Sequence, residues 1–300
     1  MTAQTARPAA DDIAAPQDAP AIEPRSQRPW WRLIVLLFGA LVFLFPFYYM
    51  IIGSLQKKQN TSLGGALPQP GNVTLHNYSQ INAALDLGRA LINSGIFTGG
   101  VLFGTAVFGV LAGYALAQLR FRGRSLLFAV MLLVLTVPFQ LLIIPLYVLI
   151  VRNYGLGDSY LGMIAPYAIN STAVFVFRQY FLQLPKELFD AARIDGASEL
   201  RVLTSIALPL VRPALLTAML LTFIGPWNEF LWPFLITKQQ SLQPLAVALA
   251  NYISTVSGVA TNPYGAILAG ACVLAIPAVA LFIAFQRHFV SVNIGSGVKG

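Results

Sequence analysis

Charge is what this sequence has least of. Lys, Arg, Asp and Glu make up 10% of its 300 residues, against about a quarter in soluble domains. Hydrophobic residues make up 57% and the mean hydropathy is +0.70, more apolar surface than a soluble core of this size hides. Cysteine is nearly absent. Cys272 is alone and sits in an apolar run, which excludes an intrachain disulfide and a thiolate metal cluster. The two histidines, His76 and His288, lie far apart in the chain and suggest no shared site. No Gly-x-x-x-x-Gly-Lys-Ser/Thr phosphate loop, His-Glu-x-x-His or Gly-x-Ser-x-Gly occurs, so neither ATP hydrolysis nor another catalytic activity is expected of this chain.

What is present is a series of long apolar runs. A helix needs about 20 residues to cross about 30 Å of hydrocarbon, and six segments qualify: 32–53, 91–118, 126–151, 161–182, 212–234 and 263–286. The expected fold class is all-α, a polytopic membrane protein with six transmembrane helices. Asn170, Ser171 and Thr172 interrupt the fourth segment, and Pro226, Asn228 and Glu229 the fifth. Residues 1–29, rich in Ala and Pro and without hydrophobic periodicity, read as a disordered tail. Residues 30–87 read as the first span and an outer loop, 88–286 as the transmembrane core, and 287–300 as a C-terminal tail.

The net charge of +8 reflects sidedness, not nucleic acid, because the aromatics lie inside the apolar runs and not on a basic face. With six spans both termini share one side. All the Lys and Arg except Lys57, Lys58, Arg89, Arg152 and Lys238 fall on that side, which the positive-inside rule makes cytoplasmic. Lys57 and Lys58 flank the first span against this trend and are outweighed by the other loops. The glycines of the second segment, Gly95, Gly99, Gly100, Gly104, Gly109 and Gly113, include the spacing that lets helix backbones approach closely in lipid.

The inner loop 183–211 is too long for a turn and reads as a helix–turn–helix. Pro185 suits a first helical position, Asp195-Gly196 supplies a stop, Ser198 caps a second helix through Ile206, and Leu208-Pro209 ends it. Its sequence is specific: Asp190-Ala191-Ala192-Arg193-Ile194-Asp195-Gly196, nine residues, then Ile206-Ala207-Leu208-Pro209. This resembles the EAA motif of ABC importer permeases with full spacing, Asp190 standing where Glu is usual.

Further positions resemble the carbohydrate branch of that family, the MalG-like permeases of maltose-type systems. They are Asn93-Ser94, Tyr114-Ala115 followed by Arg120-Phe121-Arg122-Gly123-Arg124, Trp227-Asn228-Glu229-Phe230, and the ending Gly297-Val298-Lys299-Gly300. The resemblance covers roughly residues 77–300.

The resemblance implies a type I ABC importer permease fold that moves a sugar or oligosaccharide inward. It implies a second, MalF-like permease, two ATP-binding-cassette ATPase subunits and an extracytoplasmic sugar-binding protein as partners, besides membrane lipid. ATP is used by the partner subunits and no cofactor is expected on this chain. Alternatives are a permease for glycerol phosphate or another polar solute, and a self-sufficient secondary carrier, for which only Glu229 offers an ion-coupling acid.

The same resemblance makes the inner loop the ATPase-coupling element. Ala191, Ala192 and Gly196 are small enough for a partner surface to approach, and Asp190, Arg193 and Glu199 are expected at the rim. Asp195, Ile206 and Pro209 complete the motif. Trp227, Asn228 and Glu229 are the candidate substrate path, Glu229 being the ionisable group in an apolar run. The competing reading is interfacial, with Trp227 and Trp232 as belt aromatics. The outer loop 236–262, with Gln239, Gln240, Gln243, Asn251 and Tyr252, is expected to face the binding protein.

Overall fold

The computed structural model describes residues 30–60, 62–256 and 262–294, with side chains as far as residue 286. The expected tail 1–29, the ending Gly297–Gly300, the tip of the outer loop and the side chain of His288 lie outside the described residues. Those described are mostly helical, with one isolated antiparallel bridge, Gln56 to Val73. Contacts divide the chain into a unit ending at Pro46 and a second beginning at Phe47.

Three helices are long and apolar enough to cross a membrane unbroken: α1 (Trp30–Ser54), α3 (Leu87–Gln118) and α14, whose described span is Pro263–Gln286. In α1 the side chains of Leu33, Phe38 and Phe43 are exposed, as a lipid-facing helix requires. α14 continues to Ile294, so the expected tail 287–300 begins as helix. Ahead of α3, the short α2 (His76–Leu85) occupies part of what was expected to be an outer loop. Asn77 holds it in place by donating to the carbonyls of Ser54 and Gln56, each at 2.8 Å.

The other expected spans are bent. Segment 126–151 is α4 (Arg124–Thr136) and α5 (Phe139–Tyr147), the latter running on through a π turn to Asn153, and the two halves meet at 97°. Pro138 explains the break: it removes an N–H and drives Val137 out of helical geometry, to φ −83°, ψ 116°. At 1.5 Å per residue α4 is about 20 Å long, short of a full crossing. The fourth segment bends by 44° between α6 (Tyr160–Ala168) and α7 (Ser171–Gln183). Asn170, the polar interruption, caps α7 by accepting from the Ala173 N–H at 3.2 Å. The fifth is α11 (Arg212–Asn228), bent by 78° from the helix Glu199–Leu210 before it and followed, after Glu229 and Phe230, by α12 (Leu231–Ile236).

α3 is the central post. A Cβ on Gly104 would lie 2.7 Å from Ala168 Cβ, and one on Gly113 would lie 2.6 Å from Phe177 Cβ. Gly100 and Gly109 are similarly close to Ile164 and Phe177, whereas Gly95 and Gly99 face open space. Lipid is as apolar as these side chains, so the α3–α6 and α3–α7 contacts rest on close packing more than on the hydrophobic effect. At one end of α3, Phe97, Val101, Met163 and Trp232 form a buried cluster. At the other, Tyr114, Phe177, Phe181, Phe189, Val202 and Ala214 form a second that reaches into the inner loop. Phe189 and Val202 lie in that loop, where each buried side chain contributes about 1.5–3 kcal/mol against water.

Candidate functional site

The inner loop is α8 (Lys186–Ile194), a turn, and α9 (Glu199–Val202), which runs through a π turn, Leu203–Ala207, into α10 (Leu208–Leu210). Pro185 stands just before α8 and not inside it. The turn is a Schellman motif: the Ala197 N–H donates to the Ala192 carbonyl at 3.0 Å and the Gly196 N–H to that of Arg193 at 3.1 Å. It requires a left-handed residue, and Gly196 has φ +78°. Ser198 then accepts from the Arg201 N–H at 3.4 Å and starts α9.

Expected to stop at Leu208-Pro209, the second helix instead carries through to Leu210. The π turn widens the coil before Pro209, where the Leu208 N–H reaches the Leu203 carbonyl, and this accommodates a ring that would clash in a regular helix.

The motif residues divide between two faces. Ala192 is buried with Phe189 and Ala207, and Ile206 packs against the same cluster, so Ala192 serves this chain's own packing and is not open to a partner. Asp190, Ala191, Asp195, Gly196 and Pro209 are exposed. Ile194 is 85% exposed and Leu200 65%, two apolar side chains left uncovered beside the turn. The motif spacing marks only the polar and small positions of this turn and passes over these two. An apolar residue one position before a helix stop, outside any span, was the available signal.

The rim charges turn on one another. Arg193 Nε is 2.7 Å from Glu199 Oε1, and Nη1 is 3.3 Å from Asp190 Oδ1. The Tyr114 hydroxyl on α3 donates to Glu199 Oε2 at 2.7 Å. The Arg193 guanidinium holds the Glu199 carboxyl below the usual carboxylate range, with burial opposing and the Tyr114 hydroxyl assisting. The hydrogen bond that Arg193 donates to Glu199 in turn raises Arg193 above the ordinary guanidinium value. Arg193 and Glu199 therefore lock the turn internally, while Asp190 keeps a largely exposed carboxylate.

Trp227, Asn228 and Glu229 are adjacent but do three separate things. Trp227 is buried, stacks on Phe223 with ring centroids 5.4 Å apart, and donates to the Leu274 carbonyl at 3.0 Å. Trp232 is fully buried and donates to the Gly162 carbonyl at 3.2 Å. Neither is a belt aromatic, because each fills a space between helices. Asn228 is exposed and donates back to the Ile224 carbonyl. Glu229 Oε1 accepts from the N–H groups of Leu231, at 3.0 Å, and Trp232, at 3.3 Å. It caps α12 across the break that follows Pro226.

The outer region 236–262 is not simply a loop. It carries α13 (Leu245–Val256), in which Leu245, Val247, Ala248, Leu249 and Tyr252 are buried. Gln243 is buried and accepts from Asn251 Nδ2 at 3.0 Å. Gln240, Gln243, Asn251, Tyr252 and Thr255 line a cavity of about 290 Å³ against Ala84 and Leu85 of α2. Asn93-Ser94 fastens this region to α3. Asn93 donates to the carbonyls of Ser241 and Gln243, at 2.9 and 3.0 Å, and accepts from the Tyr160 hydroxyl at 2.6 Å. Ser94 accepts from the Leu245 N–H at 2.9 Å. Paired polar residues in an apolar run were the sequence sign of this clamp.

Residues 106–291 match the family model described as binding-protein-dependent transport system inner membrane component. The arabinooligosaccharides transport system permease protein AraQ of Halalkalibacterium halodurans is 34% identical over 274 residues, covering 90% of this chain and 96% of the relative. The sn-glycerol-3-phosphate transport system permease protein UgpE of Yersinia pestis is 34% identical over 263 residues, covering 86% and 92%. A crystal structure of a bacterial ABC transporter involved in the import of the acidic polysaccharide alginate contains a chain of similar fold. Its TM-score is 0.75 at 24% identity, over 89% of this chain and 98% of that one.

Proposed function

The chain belongs to the binding-protein-dependent transport system inner membrane components, and from that premise we propose that it is the translocating subunit of a sugar or oligosaccharide importer. Membership makes it a multi-pass inner-membrane permease of an ABC importer and not an enzyme, working with a partner permease, an ATPase and a solute-binding protein. The finer arrangement we propose is a heterodimer with a MalF-like permease on two ATPase subunits. Six crossings would put both termini and the loop 183–211 in the cytoplasm. ATP binds the partner subunits, and this chain holds no cofactor.

The observation that carries the coupling role is the locked turn at Gly196. It presents Ile194, Leu200 and Asp190 outward on a rigid element tied to α3 through Glu199 and Tyr114. Exposed apolar side chains on a solvated loop call for a partner surface. When the ATPase subunits close on ATP, a loop held in their cleft would move as a lever, and α3 would carry that movement into the packing of the spans. We further propose that Asn228, exposed beside the α11–α12 break, faces the path, with Trp227 and Glu229 shaping that break.

Solute uptake by the reconstituted complex tests the substrate class, with an arabinose oligosaccharide and glycerol 3-phosphate compared side by side. Saturable, ATP-dependent uptake of the oligosaccharide supports the reading. Uptake of the phosphate ester alone would favour the second reading, which the UgpE relatives support at the same identity. A Ser198→Cys substitution tests orientation, since it should react with membrane-impermeant thiol reagents from the inner side only.

A further inference from the structure

Three apolar helices end at one place: α3 at Gln118, α7 at Gln183, and α4, which begins at Arg124. Between them and α8 lies a cavity of about 380 Å³, with Arg120, Arg124 and Lys186 in its lining. Asp190 and Arg193 line it too, but they are paired with one another, and Arg193 also with Glu199. Among the described residues no carboxylate pairs with Arg120, Arg124 or Lys186. Arg124 spends one bond on the Leu119 carbonyl, at 3.0 Å. Nearby, Arg178 lies 3.9 Å over the Phe128 ring and feels the like charge of Arg124. Like charges gathered without a counter-ion repel, and the arrangement is relieved by an anion.

Two more features point the same way. α4 starts from Gly123, at φ +85°, with no side-chain cap, so its first N–H groups and the positive end of its dipole are open beside Arg124. Leading away from that end, the apolar side chains Leu126, Leu127 and Leu133 of α4 are 70%, 55% and 65% exposed. A cationic cavity at the ends of the spans, continuous with a greasy helix face, matches an amphiphile with an anionic head better than a soluble anion.

We propose that this cavity binds the headgroup of an anionic phospholipid of the inner leaflet, with its acyl chains along α4. The proposal rests on the inward placement of the loop 183–211. It adds a lipid site that pins α8 to the membrane surface.

The test uses the full-length chain purified with its partner subunits, titrated with phosphatidylglycerol or phosphatidylcholine and read by native mass spectrometry. Phosphatidylglycerol should be retained selectively. The R120Q/R124Q/K186Q variant should lose about a hundredfold of that affinity, each basic residue near an anionic surface being worth about fivefold, while phosphatidylcholine adducts stay the same. The charge-keeping R120K/R124K variant should retain most of the binding. K186Q alone should show a partial loss, which keeps the test open if the triple variant fails to fold. Unchanged phosphatidylglycerol binding in the neutralised variants would overturn the proposal. Displacement by millimolar inorganic phosphate as effective as by lipid would assign the cavity to a soluble anion instead. Unaltered lipid binding with loss of the ATPase would make the cavity part of the ATPase interface, also against the proposal. Failure of the importer reading is separate: the unmodified chain would then recover no ATPase, whatever its lipid binding.

Discussion

The hydroxyl of Tyr114 donates to Glu199 Oε2 at 2.7 Å, so a long apolar helix is joined by one charge-assisted hydrogen bond to the loop proposed to meet the ATPase. Tyr114→Phe removes that bond and keeps the ring, which packs edge-on to Phe181 at 5.5 Å. A hydrogen bond to a charged group contributes about 1.5–3 kcal/mol, and partial exposure places this one at the low end. The variant should insert and fold, but transport less solute per ATP hydrolysed in proteoliposomes. Unchanged stoichiometry would remove Tyr114 from the transmission.

The same carboxylate sets a pH expectation. Glu199 is held below its ordinary value by Arg193, so its contribution is fully present above the unfolded carboxylate pKa, about 4.3. It is lost only as pH falls through the lower, folded value. ATPase retention by the membrane complex should therefore be flat from about pH 8 to pH 5 as far as this pair is concerned. Glu199→Gln should weaken retention across that whole range, and a midpoint near neutral pH would point to another group.

Two glycines should fail differently. Gly196→Val meets no atom within 4 Å in this chain but forces a β-branched residue to φ +78°, at a cost of about 1–2 kcal/mol. The loop should lose its turn, and coupling with it, while membrane insertion persists. Gly113→Val drives a Cβ to 2.6 Å from Phe177 Cβ and 3.1 Å from the Arg178 nitrogen. It should reduce folded protein in the membrane, read by detergent-extracted yield and thermal stability.

The sequence carried the inner loop almost whole because its signals are local: Asp195-Gly196 stops one helix and Ser198 starts the next wherever they occur. Apolar length located the spans for the same reason. It could not locate their bends, because Pro138 changes the direction of a helix without changing its hydropathy. Glu229 stood out as an acid in an apolar run, yet its cap on α12 depends on the helix break between Asn228 and Leu231. Composition left Trp227 open between the path and the interface and allowed Trp232 as a belt aromatic, and only their carbonyl partners, Leu274 and Gly162, place them between helices. Asn93 finds its partners about 150 residues along the chain, beyond the reach of any local pattern.

Glu229→Gln separates a cap from a charge on the path. Gln keeps an oxygen for the Leu231 and Trp232 N–H groups, so uptake should stay near wild type. Glu229→Ala, which removes the acceptor, should cost about 1 kcal/mol of stability. Loss of uptake in the Gln variant, with folded protein at normal levels, would place the charge itself on the path.

The most direct test of the central claim is purification of the membrane complex through this chain, with and without Ile194→Asp. Ile194 is 85% exposed, so the substitution should change this chain's own stability by no more than about 0.5 kcal/mol. The native chain should bring down an ATPase, and the variant, equally inserted, should lose it. Recovery of the ATPase with both, or with neither while the chain still moves solute alone, would contradict the coupling role of the loop.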